Sequence, residues 1–347
     1  MTNRHKKIVL EAEEGITFDV SEAGETLVIR ARSIATDNDY PNLPTVAAGE
    51  YAEELSVYTD KDGNQAVVPP GWTVSGVDKE NTIWGKDVSL VIYRIPKKAT
   101  RLIQWANSED IEVLKKNYSQ FVWVPVKFLE PDGTLDGKEF SQKFGRRNYQ
   151  DDDFSDDGFN EPLAGGLVEQ VKSVKKYGGF YISRYDISKS PEGEPQSVRG
   201  AMPWVNIDFH EAKSVAETIE NNGVSRSQLT YGAEYDTVLA WLIKSECKTL
   251  KEVAEDSTKW GNHWNTNGPP RRVVKTGSCE EWCANNIYDF AGNVDEWTQE
   301  QNGSSCQVIR GGDCNYDGDY CPVAYRDCDN PGSDCLSTGF RVTVCIK

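Results

Sequence analysis

Near its C-terminal end the chain carries a stretch that suits neither a core nor an ordinary linker. RGG at 310–312 and GFRV at 339–342 enclose residues 313–338, which hold six Asp, four Cys, three Tyr and two Asn with no apolar periodicity of helix or strand type. Such a run cannot bury itself. Apolar β-formers flank it, Val308 and Ile309 before, Phe340, Val342, Val344 and Ile346 after. The pattern predicts strands that pin the run as a displayed surface, the usual setting of a binding loop; a solvent loop without a role has the same composition.

A length of 347 residues with ten Trp, fifteen Tyr and eleven Phe is ample for a core. The net charge of -17 argues against nucleic acid or an anionic membrane as the main partner, since both need a basic footprint. The opening MTNRHKKIVLEAEEG has no apolar segment of signal-peptide length, and no later stretch approaches a membrane span. These features predict a soluble chain without an export signal or membrane insertion. Nine Cys, all from Cys247 onward, fit reduced thiols better than a disulfide scaffold, with one or two local bridges left open. His5, His210 and His263 are scattered singly, and Cys279 and Cys283 lack a second pair at zinc spacing, so neither a histidine metal centre nor a zinc ribbon is expected.

In chain order, residues 7–33 alternate apolar and polar like antiparallel strands, and 34–59 read as a connector. AVVPPGWTVSG, DVSLVIYRIP and RLIQWA predict further strands, SEDIEVLKKNY a short helix capped by Ser108, and QFVWVPVKFL a buried strand with Pro125 near its end or edge. The acidic residues at 151–157 lack the alternate spacing of an EF-hand loop and read as a solvated insertion. KYGGFYISRYDIS predicts a strand. Two helices follow. In DFHEAKSVAETIENNG, Asp208 is the N-cap, Ala212, Val215, Ala216 and Ile219 the apolar stripe, and Gly223 the stop; in YGAEYDTVLAWLIKSE, Tyr235, Val238, Leu239, Leu242 and Ile243 form the buried face. NIYDFAGNVDEWTQE then predicts a tight turn at Gly292 and Asn293 and a strand holding Trp297. This order describes an α+β domain with its helices grouped.

GGFYISRYDIS, PWVNIDFHEAKSVAETI, LTYGAEYDTVLAWL, NIYDFAGNVDEWT, VIRGG and GFRV, in this order over residues 117–347, resemble the formylglycine-generating-enzyme-like (sulfatase-modifying factor) family, which has a C-type-lectin-type fold. Within it the chain looks most like the variable proteins of diversity-generating retroelements. The resemblance implies a lectin-type α+β domain at about 66–347, with two helices and loop-rich antiparallel strands. A β-rich module at 1–65 would precede it and serve attachment or oligomerisation. It further implies a ligand face between RGG and GFR, rewritten at template adenines, mostly in AAC codons. Such rewriting of AAC never yields Lys, Glu, Gln, Met or Trp, and none of the five occurs from 313 to 338. Ordinary chains draw roughly a fifth of their residues from those types.

By resemblance the varied, ligand-contacting positions are Asp313, Cys314, Asn315, Tyr316, Asp317, Asp319, Tyr320, Tyr325, Asp327, Cys328, Asp329, Asn330, Ser333, Asp334, Cys335, Leu336 and Ser337, with Cys321, Pro322, Ala324, Arg326 and Pro331 as fixed scaffold. Tyr316, Tyr320 and Tyr325 are anchor candidates, because tyrosine offers broad contact with two torsions to freeze. The resemblance implies a protein or glycan partner, with a bacterial cell surface as its expected place, and a phage tail or the bacterial cytoplasm as the setting. No cofactor is required; a structural calcium at the turn near Asn293 and Glu296 is left open. The family's catalytic branch oxidises a sulfatase cysteine using two thiolates that hold copper(I), and its sulfoxide synthases use a histidine triad on iron. Here Cys321 matches one thiolate position, Tyr316 occupies the other, Cys314 lies two residues too early, and three isolated His supply no triad. The resemblance therefore favours a binding protein over an enzyme.

Overall fold

The strand Gln120–Pro125 explains the layering. Its sequence QFVWVP is apolar almost without a break and every residue is buried. Phe121 and Trp123 join one core cluster with Trp72, Tyr181 and Val344, whereas Val122 and Val124 join another with Phe180, Tyr235 and Trp241. A strand that buries both faces must lie inside a sheet with layers on either side.

The computed structural model describes residues 42–95, 108–126, 144–150, 159–161, 165–266, 271–303 and 305–347, together with the backbone of short strands at 16–20, 27–31, 134–135 and 138–139. Gln120–Pro125 sits in a six-stranded antiparallel sheet in the order Ser225–Leu229, Val342–Ile346, Gly179–Ser183, Gln120–Pro125, Val91–Tyr93, Thr73–Val74. A five-stranded sheet carries the C-terminal motifs. Phe159–Asn160, Asp295–Asn302, Cys306–Arg310 and Arg326–Asp329 run in that order, and Thr338–Phe340 pairs in parallel with Asp295–Asn302. Pro125 closes its strand, where a missing N–H is tolerated. The fold is α+β and of the C-type-lectin type.

The two long helices form where their sequences predict. Asp208 accepts a hydrogen bond from the Glu211 N–H at 2.8 Å and opens Phe209–Ala216. That helix stops before Ile219, which is buried outside it. Gly232–Lys244 is buried on every side from Gly232 to Ile243, because both sheets and the Leu250–Ala254 helix surround it. A further helix, Gly165–Tyr177, had no sequence expectation, although Leu167 and Val174 recur at helical spacing and are buried.

Residues 46–68, including the Ser56–Thr59 and Gln65–Val68 hairpin, pack in the same cluster as Trp123 and Trp297. In the N-terminal stretch only the Ile16–Val20 and Leu27–Ala31 hairpin is described. The helix expected at SEDIEVLKKNY forms as Ser108–Asn117, with Ser108 as its first helical residue and not the cap before it. The connector up to residue 41 and the acidic run at 151–157 lie outside the described residues. No helix among the described residues is long and apolar enough to cross a membrane.

Two buried carboxylates give the fold opposite pH limbs. Burial lifts Glu234 to about 7, although the Tyr231 N–H, Thr343, Gln228 and Gln170 all donate to it. Glu80 is also pushed up by burial, but Arg184 at 3.0 Å and Lys115 at 3.3 Å outweigh this and hold it at about 2. A raised folded pKa stabilises below the unfolded value of 4.5 and the gain is lost as pH rises through 7; a depressed one stabilises above 4.5 and is lost as pH falls through 2. The melting temperature is therefore expected to peak near pH 5 and decline toward pH 8, by the equivalent of about 2 kcal/mol. Burial also raises Glu161, to about 8, and Glu296, to about 7, so calorimetry on the chain and on Glu234→Gln should show the variant losing only the Glu234 share of the alkaline limb; an unchanged limb counts against Glu234 as one of its sources.

Candidate ligand-binding face

The RGG and GFRV motifs are built around two buried arginines. Arg310 donates to Asp236 Oδ1 at 2.9 Å, Tyr325 O at 3.1 Å and Ala324 O at 3.2 Å. Arg326 pairs with Glu300 and Asp236 behind the same sheet, and Arg146 also reaches Glu300. Arg341 binds Glu296 at 2.5 Å, Asp186 at 2.7 Å and the Ser183 carbonyl at 3.1 Å. Cross-strand partners share a sheet face. Glu296, Arg310 and Arg326 are register partners, as are Trp297, Ile309 and Asp327. One face of the sheet is thus an ion-paired interior, and Asp327 rises from the other.

Residues 313–337 are held chiefly through their backbone, by groups outside the segment. Trp264 N–H donates to Tyr316 O at 2.9 Å, Ser257 N–H to Gly318 O at 2.9 Å, and Gly318 N–H to Asn265 Oδ1 at 2.9 Å. Val323 N–H donates to Ser257 Oγ, Ala324 N–H to Val253 O, Asn206 N–H to Cys335 O, and Phe209 N–H to Pro331 O. Two glycines make these approaches close. A Cβ on Gly318 would stand 2.5 Å from Thr258 N, and on Gly312, at φ +70°, 2.5 Å from Cys321 O.

Outward from that frame, Asn315, Tyr316, Asp319, Tyr320, Asn330, Asp334 and Leu336 are exposed, and Asp317, Tyr325, Asp327, Cys328, Asp329, Ser333 and Cys335 are half-buried. Asp313, Cys314 and Ser337 differ from the expectation of a displayed side chain, for they are buried. The reason is local: Asp313 accepts from Asn315 N–H and Nδ2, and Asn315 Nδ2 also donates to Ser337 Oγ at 3.1 Å, so these side chains organise the turn. Of the positions expected as scaffold, Cys321, Pro322, Ala324 and Arg326 are buried and Pro331 is half-buried. The Tyr316 and Tyr320 rings stack at 6.1 Å and are 47% and 69% exposed, and Leu336 is 74% exposed.

Trp264, exposed and lying under the Arg271 guanidinium, was missed by the sequence reading, although a tryptophan within the polar stretch NHWNTNG is an anomaly that marks it.

The cysteines depart from the expectation of reduced thiols in one place. Cys306 and Cys328 are joined, since paired antiparallel strands bring their Cα atoms to 5.7 Å. Cys314 and Cys321 are free and buried, and burial with neighbouring aspartates pushes each thiol up to about 12. A copper(I) centre needs two converging thiolates, and with Tyr316 at the second position and Cys314 two residues early the chain does not supply the pair. His263 is buried below the segment and burial lowers it to about 4, while His210 packs against Phe209. His5 lies outside the described residues. The turn at Asn293 does not fit calcium either. Asn293 Oδ1 accepts from Asn262 and Val274, Glu296 is paired with Arg341, and no cluster of three His, Cys, Asp or Glu able to hold a metal occurs among the described residues.

Residues 59–346 match the family described as the sulfatase-modifying factor enzyme 1-like domain. The chain belongs to this family. Sulfatase-modifying-factor-like domains include enzymes, so membership alone leaves open whether this chain is one. Among solved structures, variable protein 1 of Treponema denticola is 18% identical over 49% of this chain and 85% of its own, with a TM-score of 0.34. PvdO from Pseudomonas aeruginosa is 18% identical over 49% of this chain and 82% of its own, with a TM-score of 0.34. The Major Tropism Determinant U1 variant is 9% identical over 88% of this chain and 99% of its own, with a TM-score of 0.37. No curated protein matches the chain.

Proposed function

We propose that this chain is a ligand-binding member of its family, not an oxidase, and that residues 313–337 form a face diversified by a retroelement. The observation that carries this reading is the division of labour described above. Groups outside the segment hold its backbone, so the outward side chains can be exchanged without rebuilding the fold. The stacked Tyr316 and Tyr320 and the half-buried Tyr325 of the same segment supply rigid contact area, and the Asn, Ser and Asp positions supply adaptable hydrogen bonding. The absence of Lys, Glu, Gln, Met and Trp from 313 to 338 supports rewriting of AAC codons. Tyr316 in place of the second thiolate argues against the copper chemistry of the family's oxidases.

In this reading the face meets a protein or glycan on a bacterial cell, the chain rides on a phage or prophage tail, and residues 1 to about 65 attach it there or oligomerise it. Sequencing sibling clones together with the template repeat tests the proposal. Differences should fall on the seventeen named positions and introduce none of the five excluded residue types. Changes spread over the Arg310 and Arg341 frame, or glutamate and lysine appearing at the varied positions, would overturn it.

A further inference from the structure

One covalent bond ties the edge of the ligand face to the frame. Arg326–Asp329 is the outermost strand of the five-stranded sheet: it pairs with Cys306–Arg310 on one side, and no strand lies on its other side among the described residues. Its two ends are held differently. At the start, Arg326 is locked by Asp236 and Glu300, and Arg310 donates to the Tyr325 and Ala324 carbonyls just before it. At the far end the ladder stops at Gln307 and Asp329, and the disulfide between Cys306 and Cys328, with Cα atoms 5.7 Å apart, closes it.

Around that disulfide the side chains give no other anchorage. Asp327 and Asp329 accept from the N–H of the residue that follows each, at 2.8 and 2.7 Å, and from no group of the frame among the described residues. Residues 330–333 then turn on their own hydrogen bonds, Gly332 N–H to Asn330 Oδ1 and Ser333 N–H to Asn330 O, both at 2.9 Å. The next grip from the frame is a single bond, Phe209 N–H to Pro331 O at 3.1 Å. The two sulfurs also differ in origin. Cys328 is among the positions expected to be rewritten, and a cysteine codon, TGC, is one product of rewriting AAC; Cys306 precedes the RGG motif and lies outside the segment.

We propose that Cys306–Cys328 is a redox-controlled staple of the ligand face. Closed, it fixes the far end of Arg326–Asp329 and the turn after it, so that little conformational freedom is left to lose when a ligand binds. A dithiol opens it: two electrons and two protons pass to the Cys306 and Cys328 sulfurs as their bond breaks, and the sulfurs of the dithiol join to each other. Glutathione disulfide closes it again, taking up the same electrons and protons. Synthesis in a reducing compartment therefore leaves this edge slack, and transfer to an oxidising one tightens it. The staple deepens the reading above and rests on it for one point: position 328 is rewritten and Cys306 is not. Siblings with another residue at 328 then keep a slack edge, and rigidity becomes one of the properties on which they differ.

The test is hydrogen exchange, read by mass spectrometry, on the full chain oxidised with glutathione disulfide or reduced with dithiothreitol. Alkylation of the oxidised, unfolded chain should label the seven free cysteines and spare Cys306 and Cys328. Reduction should then speed exchange about tenfold or more over residues 327–333 and leave Gly232–Lys244 and Asp295–Asn302 unchanged. Cys328→Ser should show the fast pattern with or without dithiothreitol. Labelling of Cys306 or Cys328 in the oxidised chain overturns the staple, as does exchange over 327–333 that ignores reduction, or acceleration spread over the whole chain. Should Cys328→Ser not fold, Cys306→Ser decides by the same criteria. The outcome is separable from that of the sibling sequences: varied siblings whose parent ignores dithiothreitol remove the staple alone, and a redox response with invariant siblings removes the diversification alone.

Discussion

Arg341→Ala is expected to lower stability by about 3–5 kcal/mol, enough to leave much of the chain unfolded at growth temperature. The side chain is fully buried and bridges Glu296 at the turn-bearing strand, Asp186 and the Ser183 carbonyl beside the central sheet. Its removal strands two carboxylates without a counter-charge and unties the two sheets from each other. Arg341→Lys restores the charge but not the fork that reaches four partners at once, the Tyr288 carbonyl among them, so it should recover only part of the loss. Urea unfolding of the three proteins measures this directly. A lysine variant as stable as the parent would show that charge alone matters, and an alanine variant within about 1 kcal/mol of the parent would show that the network is not a structural hub.

Gly312→Ala should be the next most damaging single change, at about 2–4 kcal/mol. The residue has φ +70°, and an added Cβ would meet the Cys321 carbonyl at 2.5 Å, backbone that cannot swing away. The damage should appear at the ligand face first, because Cys321 closes the turn that presents Tyr316 and Tyr320. The matching control replaces Tyr316, Asp319, Tyr320, Asn330, Asp334 and Leu336 together with serine, leaving the turn-forming Asn315 in place. Their side chains are exposed, and each is expected to change stability by no more than about 0.5 kcal/mol. Thermal melts of both proteins would contradict the division between frame and display if the sixfold variant fell further than the single glycine change.

Much of this arrangement was legible in the sequence, for reasons that differ by element. The helix Gly232–Lys244 and the strand Gln120–Pro125 announced themselves through apolar content, and Asp208 through its position before an apolar stripe. The exposed aspects of the face followed from composition, since a run of Asp, Asn and Tyr between strands has nowhere to hide. What could not be read was anything decided by a partner distant in the chain. Arg310 and Arg341 look like surface cations until Asp236 and Asp186 are brought to them. Cys328 looks like one more thiol until strand pairing presents Cys306. Asp313 and Ser337 look displayed until Asn315 folds over them.

The grip of Val253, Ser257, Trp264, Asn265, Asn206 and Phe209 on main-chain atoms has an evolutionary corollary. A new surface inherits its shape ready-made, so folding competence and partner choice can be selected separately. Most members of such a lineage would then arrive intact and be judged on what they touch, not on whether they survive synthesis.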